Sequence, residues 1–235
     1  MPKKTENSLY LYGDGDDVEI LEGVEATFDV KISDDEAPSL YTLGDLYDLL
    51  VSKLNASDSR RSICLTAASF YRLRRALTEL TGVKDISPRT QLDSIFPNGK
   101  IGQAAKQIEH HTKMRLPIPE LGKLATTLVM MLFFGTPILA IAIGQVIGHW
   151  GWSVLLLWAL VVPLLKFAAY RAPEYCSDVG SLAKTMAGLN YSLLSAEFGV
   201  SHQDDVWNAL VEVLKNQALT SGPINQETTF FSSVQ

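Results

Sequence analysis

The longest apolar stretch of the chain extends over residues 124–147 and contains no charged side chain. A second apolar stretch, residues 152–170, follows the link 148–151 and contains one charge, Lys166. At 1.5 Å per residue, helices of these lengths match a bilayer core about 30 Å thick. The pattern predicts a two-helix transmembrane hairpin over residues 124–170. The alternative is a buried helical hairpin of a soluble domain, which does not need so long an uncharged stretch.

The distribution of basic residues predicts the orientation of this hairpin. The link 148–151 contains no Lys or Arg, whereas Lys113, Arg115 and Lys123 precede the first span and Arg171 follows the second. Basic residues flank membrane spans on the cytoplasmic side. We therefore expect an integral membrane protein with both termini in the cytoplasm and the lipid bilayer as one partner.

Outside the hairpin, apolar residues recur at helical spacing. One such series is Val18, Leu21, Val24 and Phe28, and acidic residues lie on the opposite side of that helix: Glu19, Glu22 and Glu25. Thr42 and Asp45 have the spacing of a capping box that opens a second helix. The pattern predicts two short amphipathic helices, the first with an acidic exterior.

The remaining segments have the same helical character. Residues 67–80 place Phe70, Leu73, Leu77 and Leu80 on one stripe, with Arg72, Arg74 and Arg75 largely off it and Gly82 as the stop. Further helices are expected over residues 101–111, within 171–200, and after Ser201, where Ser201 and Asp204 can cap the last one. The predicted fold class is all-α: the transmembrane hairpin plus small cytoplasmic helical units.

Charge is strongly segregated along the chain, although the net charge is only −6. Residues 1–58 contain 4 basic and 14 acidic side chains, and residues 59–123 contain 12 basic and 5 acidic ones. This pattern favours two faces that attract each other, or a basic face beside anionic lipid. Binding of nucleic acid is not expected, since no RNA-binding aromatic motif or zinc finger accompanies the basic part. Four segments follow: an acidic one (1–58), a basic one (59–123), the hairpin (124–170) and a C-terminal helical one (171–235).

A family resemblance extends over about 45 residues near the N-terminus. The acidic helix is followed by Phe28-Asp29-Val30-Lys31-Ile32, an acidic connection and Thr42-Leu43-Gly44-Asp45-Leu46. This order resembles the second half of an acyl carrier protein. The resemblance implies that partners recognise the acidic helix, here through Asp16, Glu19, Glu22 and Glu25. It places Asp14 at the position of the serine that takes phosphopantetheine, so this copy is expected to remain unmodified.

The opening helix and loop of such a carrier are missing ahead of Leu9, but a similar pattern occurs at the C-terminus. Residues 201–233 combine an amphipathic helix with a loop containing Ile224, Thr228 and Phe230. This order implies a circularly permuted carrier fold, closed within one chain or between two chains as a swapped dimer. An independent C-terminal helix is the alternative.

The basic segment resembles a second, degenerate carrier unit. Residues 86–92 are similar to the loop that follows a carrier's first helix. Asp93-Ser94-Ile95 is similar to the carrier Asp-Ser-Leu, but Asn98 and Gly99 stand where the register requires the serine. We therefore do not expect Ser94 to take phosphopantetheine.

Candidate chemistry elsewhere is sparse. Adjacent His110 and His111 point about 100° apart on a helix, so with Glu109 they form a poor metal site. The residues after Asp14 lack the glycine that a calcium loop requires at its sixth position. Cys64 and Cys176 are expected to be reduced thiols, and no nucleophile motif surrounds them. No catalytic residue, metal or cofactor is predicted.

Two functions of different classes remain. The first is a non-catalytic, membrane-anchored carrier-like adaptor that binds protein partners, or pairs its own units, through the acidic helix and the basic residues Arg72, Arg74 and Arg75. The second is a membrane-tethered acyl or peptidyl carrier in lipid or secondary-metabolite synthesis, loaded at Ser94 or another serine. Asp14 favours the first, because a carboxylate cannot replace the serine hydroxyl.

Overall fold

A computed structural model describes residues 8–9, 11, 16–56, 64–97, 101–118, 120–121, 126–127, 130–131, 134–135, 170–199, 202–217 and 223–230. The fold class of this part is all-α. Its helices are α1 (Asp16–Phe28), α2 (Leu43–Leu54), α3 (Leu65–Thr81), α4 (Leu92–Ile95), α5 (Ile101–Thr112), α6 (Val179–Leu189), α7 (Tyr191–Phe198) and α8 (Gln203–Asn216). A short 3₁₀ helix (Ala37–Ser39) precedes α2.

Two helices begin with a complete capping box. The Thr42 hydroxyl accepts a hydrogen bond from the Asp45 amide, and the Asp45 carboxylate accepts one from the Thr42 amide, which confirms the predicted start of α2. Asp178 and Ser181 form the same reciprocal pair at the start of α6. Gly82 ends α3 with φ of 75°, as predicted for a left-handed stop.

The chain divides into two compact units. The first comprises residues 1–90, 107–117 and 178–235, and the second comprises residues 91–106 and 118–177. In the first unit, α6 packs against both α3 and α8, and α8 also packs against α1 and α2. The fully buried side chains at these contacts include Ile20, Val24, Leu46, Leu50, Leu73, Leu77, Leu182, Met186, Leu210 and Leu214.

Segments from the two ends of the chain form what we call the terminal module: residues 16–56, which include α1 and α2, and residues 202–217 and 223–230, which include α8 and the loop after it. The amide of Leu43 donates to the carbonyl of Thr228 at 2.9 Å, and the amide of Gly44 donates to that of Gln226 at 2.9 Å. The amide of Leu9 donates to the carbonyl of Thr229 at 2.8 Å. The N-terminal and C-terminal segments therefore contact each other within one chain.

The same arrangement occurs a second time in what we call the central module: residues 64–90, which include α3 and the loop 86–90, residues 107–117, and residues 178–189, which include α6. The amide of Val179 donates to the carbonyl of Thr90 at 2.9 Å, and the amide of Gly180 donates to that of Pro88 at 2.8 Å. In each module, a loop threonine hydroxyl accepts from the amide three residues earlier: Thr228 from Asn225 and Thr90 from Ser87. The capped helix thus docks on its threonine loop in the same way twice.

A further match concerns the ends of α1 and α5. Asp29 and Lys113 follow these helices with φ of 54° and 55°, the left-handed region. The carboxylate four residues before each accepts a hydrogen bond from the amide three residues after it: Glu25 from Ile32, and Glu109 from Leu116. The two modules therefore also share the turn that follows their carboxylate-bearing helix.

The second unit contains α4, the first part of α5 and one strand pair. Strands β1 (Glu120–Leu121) and β2 (Tyr170–Arg171) are antiparallel, with Glu120 opposite Arg171 and Leu121 opposite Tyr170. Between them, residues 126–127, 130–131 and 134–135 are helical. The rest of the hairpin predicted over residues 124–170, apart from Tyr170, lies outside the described residues. No helix of the described part is both long and apolar enough to span a bilayer.

Two details of the sequence prediction were wrong. The buried face of α1 contains Ile20, Val24 and Phe28, whereas Val18 is 54% exposed. Val18 and Ile20 lie at similar angles on either side of the stripe formed by Leu21, Val24 and Phe28, so helical spacing could not select between them. The N-cap of α8 is His202 rather than Ser201, and its side chain makes no capping hydrogen bond.

Candidate interaction surfaces

The acidic face of α1 is open to solvent. Glu19 and Glu22 are exposed, and Val18 and Ala26 are exposed on the same helix. Asp16 begins α1, and Asp14 lies outside the described residues. This face presents carboxylates one helical turn apart beside apolar atoms, which suits a partner with basic residues.

Glu25 has a different role from the other predicted acidic residues. Its carboxylate contacts the Lys31 ammonium at 2.7 Å and accepts the Ile32 amide at 2.6 Å. The hydrogen bond from Lys31, and then that from the Ile32 amide, lower the pKa of Glu25. Glu25 therefore holds the turn after α1, and Glu19 and Glu22 are left as the exposed acidic pair.

The basic residues of α3 also differ from one another. Arg74 and Arg75 are exposed, whereas the guanidinium of Arg72 forms an ion pair with Glu197 of α7. Arg72 thus joins two helices of the first unit. Of the three predicted basic residues, Arg74 and Arg75 are therefore the two that are exposed to solvent.

The two modules have opposite charge. The described residues of the terminal module include 15 acidic and 3 basic residues, and those of the central module include 4 acidic and 8 basic ones. Both modules belong to the first unit. The charge segregation seen along the chain therefore persists as net charges of opposite sign on the two modules.

Ser94 lies in the four-residue helix α4, ahead of α5 rather than at its start. Its hydroxyl is exposed and donates to the Gln91 carbonyl at 2.7 Å. A carrier serine would have to stand at the start of the following helix, where residues 98–100 lie outside the described part of the chain. The hydroxyl of Ser94 caps its own turn in this arrangement.

The histidine and cysteine candidates do not converge. The His111 ring contacts the Gln107 carbonyl at 2.8 Å through Nδ1 and lies 3.8 Å from the Glu79 carboxylate through Nε2. Cys64 is exposed ahead of α3, and Cys176 is buried. Within the described residues, no group of three His, Cys, Asp or Glu side chains is placed to hold a metal ion.

A buried charge cluster was missed by the sequence analysis. Glu212 of α8 is 3% exposed, and its carboxylate accepts a hydrogen bond from the Thr185 hydroxyl of α6 at 2.7 Å. The Lys215 and Lys184 ammonium groups lie 3.1 and 3.6 Å from it. The only sign of this cluster in the sequence is that Glu212 follows Ala209 by three residues, which places it on the apolar stripe of α8. The cluster joins the two modules at their shared helix contact.

A small cavity lies beside this cluster, lined by Leu65, Thr66, Lys184, Ala187, Gly188, Tyr191, Asp205, Asn208 and Ala209. Its volume is about 10 Å³, enough for about one water molecule. Burial raises the pKa of the Asp205 carboxyl at its edge. A cavity of this size cannot hold a cofactor.

Comparison of the chain with protein-family models, curated proteins and solved structures found no match. The resemblance to acyl carrier proteins therefore depends on the sequence motifs quoted above.

Proposed function

We propose that this protein is a non-catalytic, membrane-anchored adaptor whose carrier-like modules bind a protein partner through the acidic face of α1. The main support is that the glutamates of α1 differ in their contacts. Glu25 is bound by Lys31 and the Ile32 amide, whereas Glu19 and Glu22 are exposed to solvent. Residues that a fold does not use for its own contacts are available to a partner. Arg74 and Arg75, exposed on α3, form a second charged surface.

Three observations support the membrane anchor. Residues 124–147 are uncharged, and the strand pair Glu120–Leu121 with Tyr170–Arg171 joins the flanks of the apolar segment. Within that segment, Met130, Met131 and Phe134 are 55%, 68% and 63% exposed. Large apolar side chains exposed together mark a surface that another apolar phase covers. A bilayer is the phase that fits an apolar segment of this length.

The anchor is tested by cell fractionation. We expect the full chain to sediment with membranes after lysis, to resist extraction by high salt and alkali, and to be released by mild detergent. Recovery of most of the chain in the supernatant without detergent would contradict the anchor.

The acidic face is tested by site-specific photocrosslinking in the native host. A photoreactive residue at Ala26, on the face of Glu19 and Glu22, should give a discrete protein adduct. The same residue at Ser52, exposed on α2, is the matched position control. We expect Glu19→Lys with Glu22→Lys to abolish the adduct and Asp48→Lys to preserve it. Equal adducts in all variants would exclude the acidic face.

Intact mass separates the adaptor from the loaded carrier. After coexpression with a phosphopantetheinyl transferase, the adaptor should keep the mass of its sequence. A gain equal to one phosphopantetheine group, lost in Ser94→Ala, would establish the carrier function instead. Asp14 and the self-capping hydroxyl of Ser94 favour the first result.

A further inference from the structure

The exposed side of the central module is basic over several elements. Arg74 and Arg75 are exposed on α3, and Lys84 and Arg89 are exposed in the segment that follows it. Lys113 and Arg115 are exposed after α5. These six residues are called the basic face below. The acidic residues on the same segments are Glu79 and Asp85, which are exposed, and Glu109, whose carboxylate accepts a hydrogen bond from the Leu116 amide.

Contacts within the first unit bring the two ends of this basic face together. His111, at the end of α5, lies 3.8 Å from Glu79, which is one helical turn from Arg75 on α3. Lys113 and Arg115 follow His111 by two and four residues. The basic residues of α3 and those after α5 therefore lie in one region of the surface.

The backbone at Arg115 is fixed rather than loose. The Asn190 side-chain oxygen accepts the Arg115 amide at 2.7 Å, and the Asn190 side-chain nitrogen donates to the Arg115 carbonyl at 2.9 Å. Asn190 lies between α6 and α7, and α7 is joined to α3 by the ion pair of Glu197 with Arg72. The Arg115 backbone is thus held by the residue that joins α6 to α7.

The chain leaves the first unit after Pro117 and returns to it at Asp178. Both points belong to the central module, and the residues between them include the uncharged segment 124–147. Basic clusters beside a membrane span are attracted to anionic headgroups. The terminal module, with 15 acidic and 3 basic residues, is repelled by the same surface.

We propose that the basic face docks on the anionic headgroups of the bilayer that holds residues 124–170, with Arg74, Arg75, Lys113 and Arg115 toward the lipid. The headgroups repel the acidic terminal module, so Glu19 and Glu22 stay accessible to a protein partner. This inference depends on the membrane anchor proposed above. It assigns the basic face to lipid rather than to a protein.

The test measures how close each module lies to the headgroups. The full chain is reconstituted into nanodiscs of phosphatidylcholine, with or without about one third phosphatidylserine, that contain a lipid with a headgroup nitroxide. A fluorophore is placed at Tyr71→Cys, exposed on α3, in a Cys64→Ser background where Cys176 is buried. A fluorophore at Ser52→Cys, exposed on α2, reports on the terminal module.

We expect quenching at position 71 to rise when phosphatidylserine is present, and quenching at position 52 to stay low in both lipids. Arg74→Glu with Arg75→Glu should return position 71 to its phosphatidylcholine value. About 1 M salt, where the Debye length is about 3 Å, should do the same. Ala26→Glu with Tyr41→Glu, which adds negative charge at two exposed positions of the terminal module, is the charge control and should have no effect.

Quenching at position 71 that is independent of phosphatidylserine, or unchanged by the reversals, would overturn the proposal. So would an equal response at position 52. Arg74→Gln with Arg75→Gln should give an intermediate effect, which separates charge from misfolding, and circular dichroism checks the fold of each variant. Failure of the chain to enter nanodiscs would contradict the membrane anchor itself, a result distinct from a lipid-independent signal.

Discussion

At the residue scale, two glycines allow the capped helices to approach their loops. A Cβ atom at Gly44 would lie 3.0 Å from the Gln226 carbonyl oxygen. A Cβ atom at Gly180 would lie 2.9 Å from the Pro88 carbonyl oxygen. Both obstacles are backbone atoms that also accept the amide of the same glycine. Neither position can accept a side chain without moving the hydrogen-bonded loop.

We therefore expect Gly44→Ala and Gly180→Ala each to lower the free energy of unfolding by about 1–3 kcal/mol, as overpacking does. Alanine inside a helix would otherwise stabilise by about 0.5–1 kcal/mol. Gly23→Ala is the matched control, since its Cβ atom would meet the flexible end of the Gln217 side chain, which can move. Urea unfolding in mild detergent measures all three, and equal stability of the variants would contradict the prediction.

Glu36 gives the fold a defined sensitivity to acid. Hydrogen bonds from Lys53, and then from the amide and hydroxyl of Ser33, lower the pKa of Glu36 from 4.5 to about 2. A folded-state pKa below the unfolded value stabilises the fold above the unfolded pKa, and this stabilisation is lost as the pH falls toward 2. We expect Glu36→Gln to lose less stability than the wild type between pH 4.5 and 2. Urea unfolding at several pH values measures this. If the free energy of unfolding falls equally in the wild type and in Glu36→Gln across this range, Glu36 is not the source of the acid sensitivity.

At the scale of elements, the packing of α6 against α8 depends on the cluster around Glu212. Thr185→Val removes the hydroxyl that donates to a buried carboxylate, so we expect a loss of about 1–3 kcal/mol in the free energy of unfolding. Lys184 is 46% exposed, and Lys184→Ala should cost at most about 1 kcal/mol. If Thr185→Val is no more costly than Lys184→Ala, the hydrogen bond is not the main support of this contact.

The helices themselves were largely predictable because their end signals are local. Thr42 with Asp45, and Gly82, mark element ends with side-chain and backbone chemistry that acts within four residues. The face of α1 was harder, since Val18 and Ile20 fit a helical stripe about equally well and only the neighbouring helices select Ile20. Helix pairing, such as α3 with α6 across about 100 residues, has no local signal.

The candidate surfaces were predictable only in part, for the same reason. The acidic and basic residue types were evident from composition. The ion pair of Arg72 with Glu197 and the turn held by Glu25 required the folded geometry. These contacts decide which charges a fold uses for itself and which it leaves exposed.

At the scale of the whole molecule, the terminal module is built from both ends of the chain. Ser8 and Thr229 are bridge partners, so cysteines at these positions should form a disulfide under mild oxidation. Closure within one chain predicts that Ser8→Cys with Thr229→Cys, in a Cys64→Ser background, migrates as a monomer on a non-reducing gel. A covalent dimer that disappears on reduction would establish the swapped arrangement instead, and each single variant is the control.

The register of the strand pair makes the intervening segment removable. Leu121 stands opposite Tyr170 in the antiparallel pair. An Asn-Gly link between these two residues would therefore form a two-residue hairpin loop, because Asn-Gly favours the type I′ turn that joins antiparallel strands. Such a deletion would take out residues 122–169 and leave both modules on a continuous polypeptide. If residues 124–170 are the membrane anchor proposed above, we expect the shortened chain to remain in solution without detergent, where crystallisation and binding measurements are simpler.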